Sequence, residues 1–122
     1  AGEGCTIESV TARLNTGSGI AVINDSVVRH CTVDQNGAAG IRCTSNDSLI
    51  EGNNSTDNAV GIQVTVGGNF IARNTCAGNT LNWDVVAANR ILVINSTVAG
   101  AVSGSSGGVS PGSTDPNANY TY

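Results

Sequence analysis

Apolar and polar positions recur along this chain with a period close to 21 residues. Gly19-Ile20-Ala21-Val22, Gly40-Ile41-Arg42-Cys43, Gly61-Ile62-Gln63-Val64 and Asn82-Trp83-Asp84-Val85 are copies of one tetrapeptide at steps of 21. Residues two apart on a strand share a face. Ile20/Val22, Ile41/Cys43, Ile62/Val64 and Trp83/Val85 are therefore expected to form one inward column. A second apolar column runs Ile7, Val28, Ile50, Ile71, Leu92, at steps of 21, 22, 21 and 21. Three residues beyond it stand Val10, Cys31, Asn53, Asn74 and Asn95. Five beyond it stand the small residues Ala12, Val33, Ser55, Cys76 and Thr97, and eight beyond it Asn15, Asn36, Asn58, Asn79 and Gly100.

Successive hairpins would reverse the order of faces from strand to strand. Here the order repeats unreversed, which parallel stacking demands, each coil lying ~4.8 Å above the last. Like positions then meet like positions. Aliphatic residues fill a narrow interior, and an Asn at a bend tolerates left-handed backbone and bonds to the Asn above and below. Outside, Glu8, Arg29 and Glu51 alternate in sign one residue past the second apolar column. Stacked opposite charges favour this register over slippage.

Composition narrows the classes. A length of 122 residues fits one domain. The net charge is -4 and the basic residues form no cluster, which disfavours nucleic-acid binding. The longest apolar runs fall far short of the ~20 residues that span a bilayer, so no membrane insertion is expected. Charged residues make up only 11%, too few for a typical disordered tail, and Val, Ile and Ala dominate the apolar set, as suits short strands between polar turns.

The repeats GIAV…VVRHCTVDQNG, GIRC…LIEGNNSTDN and GIQV…FIARNTCAGN resemble the right-handed parallel β-helix repeats of the pectate-lyase-like superfamily, and above all the generic bacterial β-helix repeat proteins. The resemblance covers roughly residues 5–102. It implies three short parallel sheets and a secreted or cell-surface setting. It leaves activity open, because such folds carry lyases, hydrolases, adhesins, tailspikes and structural arms.

Residues 1–102 are thus expected to form about four to five coils of an all-β, right-handed, single-stranded parallel β-helix. Residues 103–122, rich in Ser, Gly and Pro, form a tail. It is either a flexible linker or a segment folding back as a cap anchored by Tyr120 and Tyr122. Ala1 enters in mid-repeat, so further coils, or another subunit, are expected to cover that end. Val27, Leu49, Phe70 and Ile91 each precede the second apolar column. Adjacent strand residues cannot both point inward. Either the chain bends there, or these four form an outward stripe through which the chain self-associates, with a trimer as the expected state.

Candidate chemistry is sparse. Asn24-Asp25-Ser26 and Asn46-Asp47-Ser48 occupy one turn in successive coils. They read first as turn sequences, and second as a weak calcium site at Asp25 and Asp47, whose carboxylates would stand ~5 Å apart. Cys5, Cys31, Cys43 and Cys76 share no column or CxxC spacing and are expected to be free thiols, mostly buried. Arg42 lies in an outer strip Ala21, Arg42, Gln63, Asp84, too thin in acids for the calcium cluster of a lyase. His30, the sole histidine, has no catalytic partner in view and is expected in a turn. No catalytic residue, resident cofactor or phosphate loop is assigned. The sequence points to a non-catalytic structural or interaction module, with an extended polysaccharide as one conceivable ligand. The competing reading is a fragment of a polysaccharide lyase or hydrolase with an incomplete site.

Overall fold

The computed structural model describes residues 1–91, 94–96, 102–104 and 116–122, and their regular structure is strand throughout. The first coil carries β1 (Thr6–Glu8), β2 (Thr11–Arg13) and β3 (Ile20–Val22), and the second β4 (Val27–Arg29), β5 (Thr32–Asp34) and β6 (Ala39–Cys43). The third carries β7 (Leu49–Glu51), β8 (Asn54–Thr56) and β9 (Val60–Val64), and the fourth β10 (Phe70–Ala72), β11 (Thr75–Ala77) and β12 (Leu81–Val85). Beyond these lie β13 (Arg90–Ile91), β14 (Ile94–Ser96), β15 (Val102–Gly104) and β16 (Asn119–Thr121). Three sheets result, in the orders β1-β4-β7-β10-β13, β14-β16-β11-β8-β5-β2 and β15-β12-β9-β6-β3. Every pairing between described strands is parallel.

Through the fourth coil the register is the one the periodicity dictates. Ile7, Val28, Ile50 and Ile71 align, as do Ile20, Ile41, Ile62 and Trp83, and Ala12, Val33, Ser55 and Cys76. From the second coil on, these side chains are buried and form one continuous core. Trp83 is fully buried, and its indole N–H meets no acceptor among the described residues.

Strands this short need sharp corners, and all three corners are built alike. Every left-handed residue described falls in one of three columns: Gly4, Asp25, Asp47, Gly68, Ala88; Ser9, His30, Gly52, Arg73; and Leu14, Gln35, Asp57, Gly78. A left-handed non-Gly residue costs about 1–2 kcal/mol, so something must hold each corner. At the corners after Ser9's the residue that follows does so, by joining a ladder; Val10, which follows Ser9, is exposed at the open end. At one corner the backbone N–H of Asn15, Asn36 and Asn58 donates to Oδ1 of the next coil's Asn at 3.1, 2.9 and 2.8 Å. Asn82, from the same coil as Asn79, ends that ladder by accepting the Asn79 N–H at 3.3 Å. At a second corner Cys31, Asn53 and Asn74 donate in turn to Asn53, Asn74 and Asn119 at 2.9, 3.0 and 3.0 Å. At the third, Ser26 donates to Ser48, Ser48 to Asn69 and Asn69 to Asn89 at 3.2, 3.0 and 2.9 Å.

The Asn ladder explains the glycine of the repeated tetrapeptide. A Cβ on Gly61 would lie 2.4 Å from the Asn82 carbonyl and 2.9 Å from Asn79 Nδ2, and the side chain of Asn58 crowds Gly40 in the same way. Asn82 stands in that column with its own amide serving as the end of the ladder.

The fifth coil departs from the sequence register. Ile71 aligns with Ile91, a step of 20 residues, where the periodicity pointed to Leu92. Asn95 is likewise displaced, lying opposite Tyr120. Leu92, Thr97 and Gly100, assigned to columns by periodicity, lie outside the described residues. The place of Asn95 in the ladder is taken by Asn119, because β16 is inserted between β11 and β14. Alternation turns Asn119 and Thr121 inward, both buried, while Tyr120 is half-buried and Tyr122 exposed.

Candidate functional site

The outer face of the first sheet carries two features side by side. One is a column of charges. Arg29 grips the Glu8 carboxylate with Nε 3.0 Å from Oε1 and Nη2 3.1 Å from Oε2. Hydrogen bonding from Arg29, helped by its charge, holds the Glu8 carboxyl below its ordinary value against a smaller opposing effect of desolvation. Arg73 pairs with Glu51 and donates from Nη1 to Asn117 Oδ1 at 2.7 Å. The column position after Glu51 is Ala72, and the corner residue beside it, Arg73, links Glu51 to the inserted C-terminal segment.

The other feature is apolar. Val27, Leu49 and Phe70 align along the sheet and point outward, Val27 and Leu49 half-buried and Phe70 40% exposed. Of the two readings of this stripe, the outward one holds for these three. Ile91 does not belong to it. The 20-residue step turns Ile91 into the core and puts Arg90 opposite Phe70. The doublet Ile91-Leu92 is apolar at both positions, so no pattern could choose between the registers, and Arg90 was missed for that reason.

Beside this stripe lies an open groove of about 620 Å³, bordered by Asp47, Leu49, Phe70 and Arg90. Its origin is the left-handed column of the adjoining corner. Asp25 and Asp47 are followed there by Gly68, which has no side chain, and Ala88, which has only a methyl group, and the space beside them is unfilled. Gly68 adopts a φ of 91°, and the Asp47 N–H donates to its carbonyl at 3.3 Å.

Asp25 and Asp47 do stack on successive coils, with the Asp25 N–H on the Asn46 carbonyl at 3.2 Å. Each carboxylate accepts the side-chain amide of its preceding Asn, at 2.8 Å from Asn24 and 2.5 Å from Asn46. Among the described residues, no three His, Cys, Asp or Glu side chains converge to hold a metal ion. The two aspartates bring two carboxylates to one edge and occupy positions that left-handed backbone requires. Ser26 and Ser48, which follow them, proved to be rungs of the third ladder. Its signal in the sequence was the column Ser26, Ser48, Asn69, Asn89 at steps of 22, 21 and 20.

The remaining candidates are dispersed. His30 is a left-handed corner residue, largely exposed, with Nδ1 3.7 Å from Glu8 Oε1. Arg42 sits on the third sheet between Ala21 and Gln63, and Gln63 Nε2 donates to Asp84 Oδ2 at 2.9 Å. All four cysteines are free. Cys31, Cys43 and Cys76 are buried and Cys5 is half-exposed. Burial pushes the Cys76 thiol well above its ordinary value.

The family model for the right handed beta helix region matches residues 1–119. No curated protein and no solved structure matches the chain. The family match spans the stacked coils and reaches Asn119, the first residue of the inserted strand β16. The parallel sheets built from a repeat of about 21 residues agree with it. The chain belongs to the right-handed β-helix family.

Proposed function

We propose that this chain is a non-catalytic scaffold and interaction module of a secreted or cell-surface protein, and that it self-associates through the outer face of its first sheet. The observation that carries the reading is the Val27, Leu49, Phe70 ridge, held in register on three successive coils and bordered by a groove. Aligned apolar side chains facing outward favour a partner surface. Polar groups on the outer faces serve the stack itself: Glu8 with Arg29 and Glu51 with Arg73 beside the ridge, and Arg13 with Asp34 and Gln63 with Asp84 on the other two sheets. A rigid rod presenting a ridge follows from that division of roles.

Sedimentation velocity over a range of concentrations tests the association. A trimer that builds with concentration, and is abolished by Leu49→Ser with Phe70→Ser, is the expected result. A wild-type chain that stays monomeric throughout removes the association. A panel of acidic polysaccharides with and without calcium tests the other half. Calcium-dependent release of product would replace the scaffold reading with that of a lyase.

A further inference from the structure

Two segments of this chain carry the same signature for one place in the stack. The ladder at the second corner needs Asn, and two residues on it needs a small side chain: Asn53 with Ser55, and Asn74 with Cys76. The 21-residue period offers Asn95 and Thr97 as the next pair. The structure uses Asn119 and Thr121. Both segments read Asn-x-Thr. The strand holding Asn95 is present in the same sheet, but one place further out and with its register shifted by one, so that Ile94 faces Asn119.

The inserted strand reproduces the Asn-ladder bonds that each coil of the repeat makes to the coil beneath it. Asn119 Oδ1 accepts from the backbone N–H and from Nδ2 of Asn74, both at 3.0 Å, and its Nδ2 donates to the Ile71 carbonyl at 3.1 Å. Tyr120 N–H donates to the Asn74 carbonyl at 2.9 Å, and the Thr121 hydroxyl to the Cys76 carbonyl at 3.0 Å. Other contacts are particular to this occupant. Arg73 donates to Asn117 from its backbone and its side chain, and Asn82 Nδ2 donates to Thr121 Oγ1. These act as a latch on an otherwise generic strand.

We propose that β16 is a removable plug: the Asn119–Thr121 strand and β14 (Ile94–Ser96) compete for the same edge of β11, and when the plug leaves, β14 moves in and slides by one residue so that Asn95 takes its place on Asn74. The edge of β11 then has two candidate occupants, and the choice between them is biased by the Arg73–Asn117 and Asn82–Thr121 contacts. The released form exposes a C-terminal strand already patterned to add to a parallel edge.

The reporter is the amide of Asn74, whose acceptor is Asn119 in one state and Asn95 in the other. Hydrogen exchange is followed by NMR on the full chain, with the core amides of β5 and β9 as controls for folding. Asn119→Pro removes the ladder amide and expels the strand. The proposal expects the amides of residues 120–122 to lose protection while Asn74 stays within about tenfold of its wild-type rate. Asn95→Ala alone leaves Asn74 unchanged. Asn95→Ala combined with Asn119→Pro exposes it by about a hundredfold or more. The milder pair Asn119→Ala with Thr121→Ala, tested with and without Asn95→Ala, should give the same order. If Asn74 is exposed as soon as the plug is disabled, or is equally protected with and without Asn95, the idea is wrong. Unfolding of the whole stack in both plug variants overturns it as well, because an equivalent strand was available to stand in.

Discussion

At the scale of single residues, this fold rests on pairs: a left-handed residue that turns the chain, and a ladder residue that pins the turn. Nine non-glycine residues adopt positive φ among those described, including Ala88 at 66°. Ala gains nothing there from its side chain, and a glycine would be free of the Cβ clash. Ala88→Gly is therefore expected to stabilise the chain by about 1 kcal/mol in urea unfolding. The ladder residue shows the opposite sensitivity. Asn58 is buried, accepts from the Asn36 N–H and Nδ2, and donates to the Val33 carbonyl at 3.1 Å and to Asn79 Oδ1 at 3.0 Å. Asn58→Ala strands several buried groups at once, at about 1–3 kcal/mol each. Its cost should exceed about 3 kcal/mol, against less than about 1 kcal/mol for Asn15→Ala at the open end of the same ladder, whose neighbours reach water. Equal losses at the two sites would show that the rungs do not act as buried hydrogen bonds.

At the scale of elements, each strand is too short to be stable alone, and each sheet gains stability by repetition of the same contact. The outer charges of the first sheet add a pH dependence. The carboxyl of Glu8 is held below its ordinary value in the folded chain, first by hydrogen bonding from Arg29. A lowered folded-state value means stability that is fully present above the unfolded value and is lost as pH falls through the folded one. Urea midpoints should therefore drop as pH is taken down through the carboxylate range, and Arg29→Gln should make that drop shallower. A pH profile unchanged by the substitution would leave the pair without energetic consequence, as exposed ion pairs often are. The thiols probe the same elements from inside. Cys31, Cys43 and Cys76 are buried, so a disulfide reagent at neutral pH should label Cys5 quickly and the other three only on unfolding.

At the scale of the whole molecule, the stack ends differently at its two faces. Among the described strands, β1, β2 and β3 each have a strand neighbour on one side only, and Val10 and Leu14 are exposed beside them. The far end is interrupted by β16, which separates β14 from β11 while β13 and β15 still pair directly with the fourth coil. One sheet of the last coil is thus spread apart and the other two are not. The groove and the ridge on the first sheet belong to this scale too, since neither exists within one coil. Three coils must stack before Val27, Leu49 and Phe70 form a line, and the change from Asp47 to Gly68 and Ala88 along the stack opens the space beside them.

The sequence by itself determined the solenoid. A constant period with unreversed faces admits only parallel stacking, and Ile7, Val28, Ile50 and Ile71, or Ile20 to Trp83, fall where that period puts them. It also held two of the three ladders in plain view, because Asn recurs at them, while the third was obscured by the change from Ser to Asn between coils. Tertiary structure alone decided the register of the last coil, the inward turn of Ile91, and the choice of Asn119 over Asn95. Each of those was a contest between segments of equal local pattern. Periodicity describes what a coil prefers in isolation from its neighbours. Which of two matching strands reaches an edge depends on contacts as remote in sequence as Arg73 with Asn117 and Asn82 with Thr121.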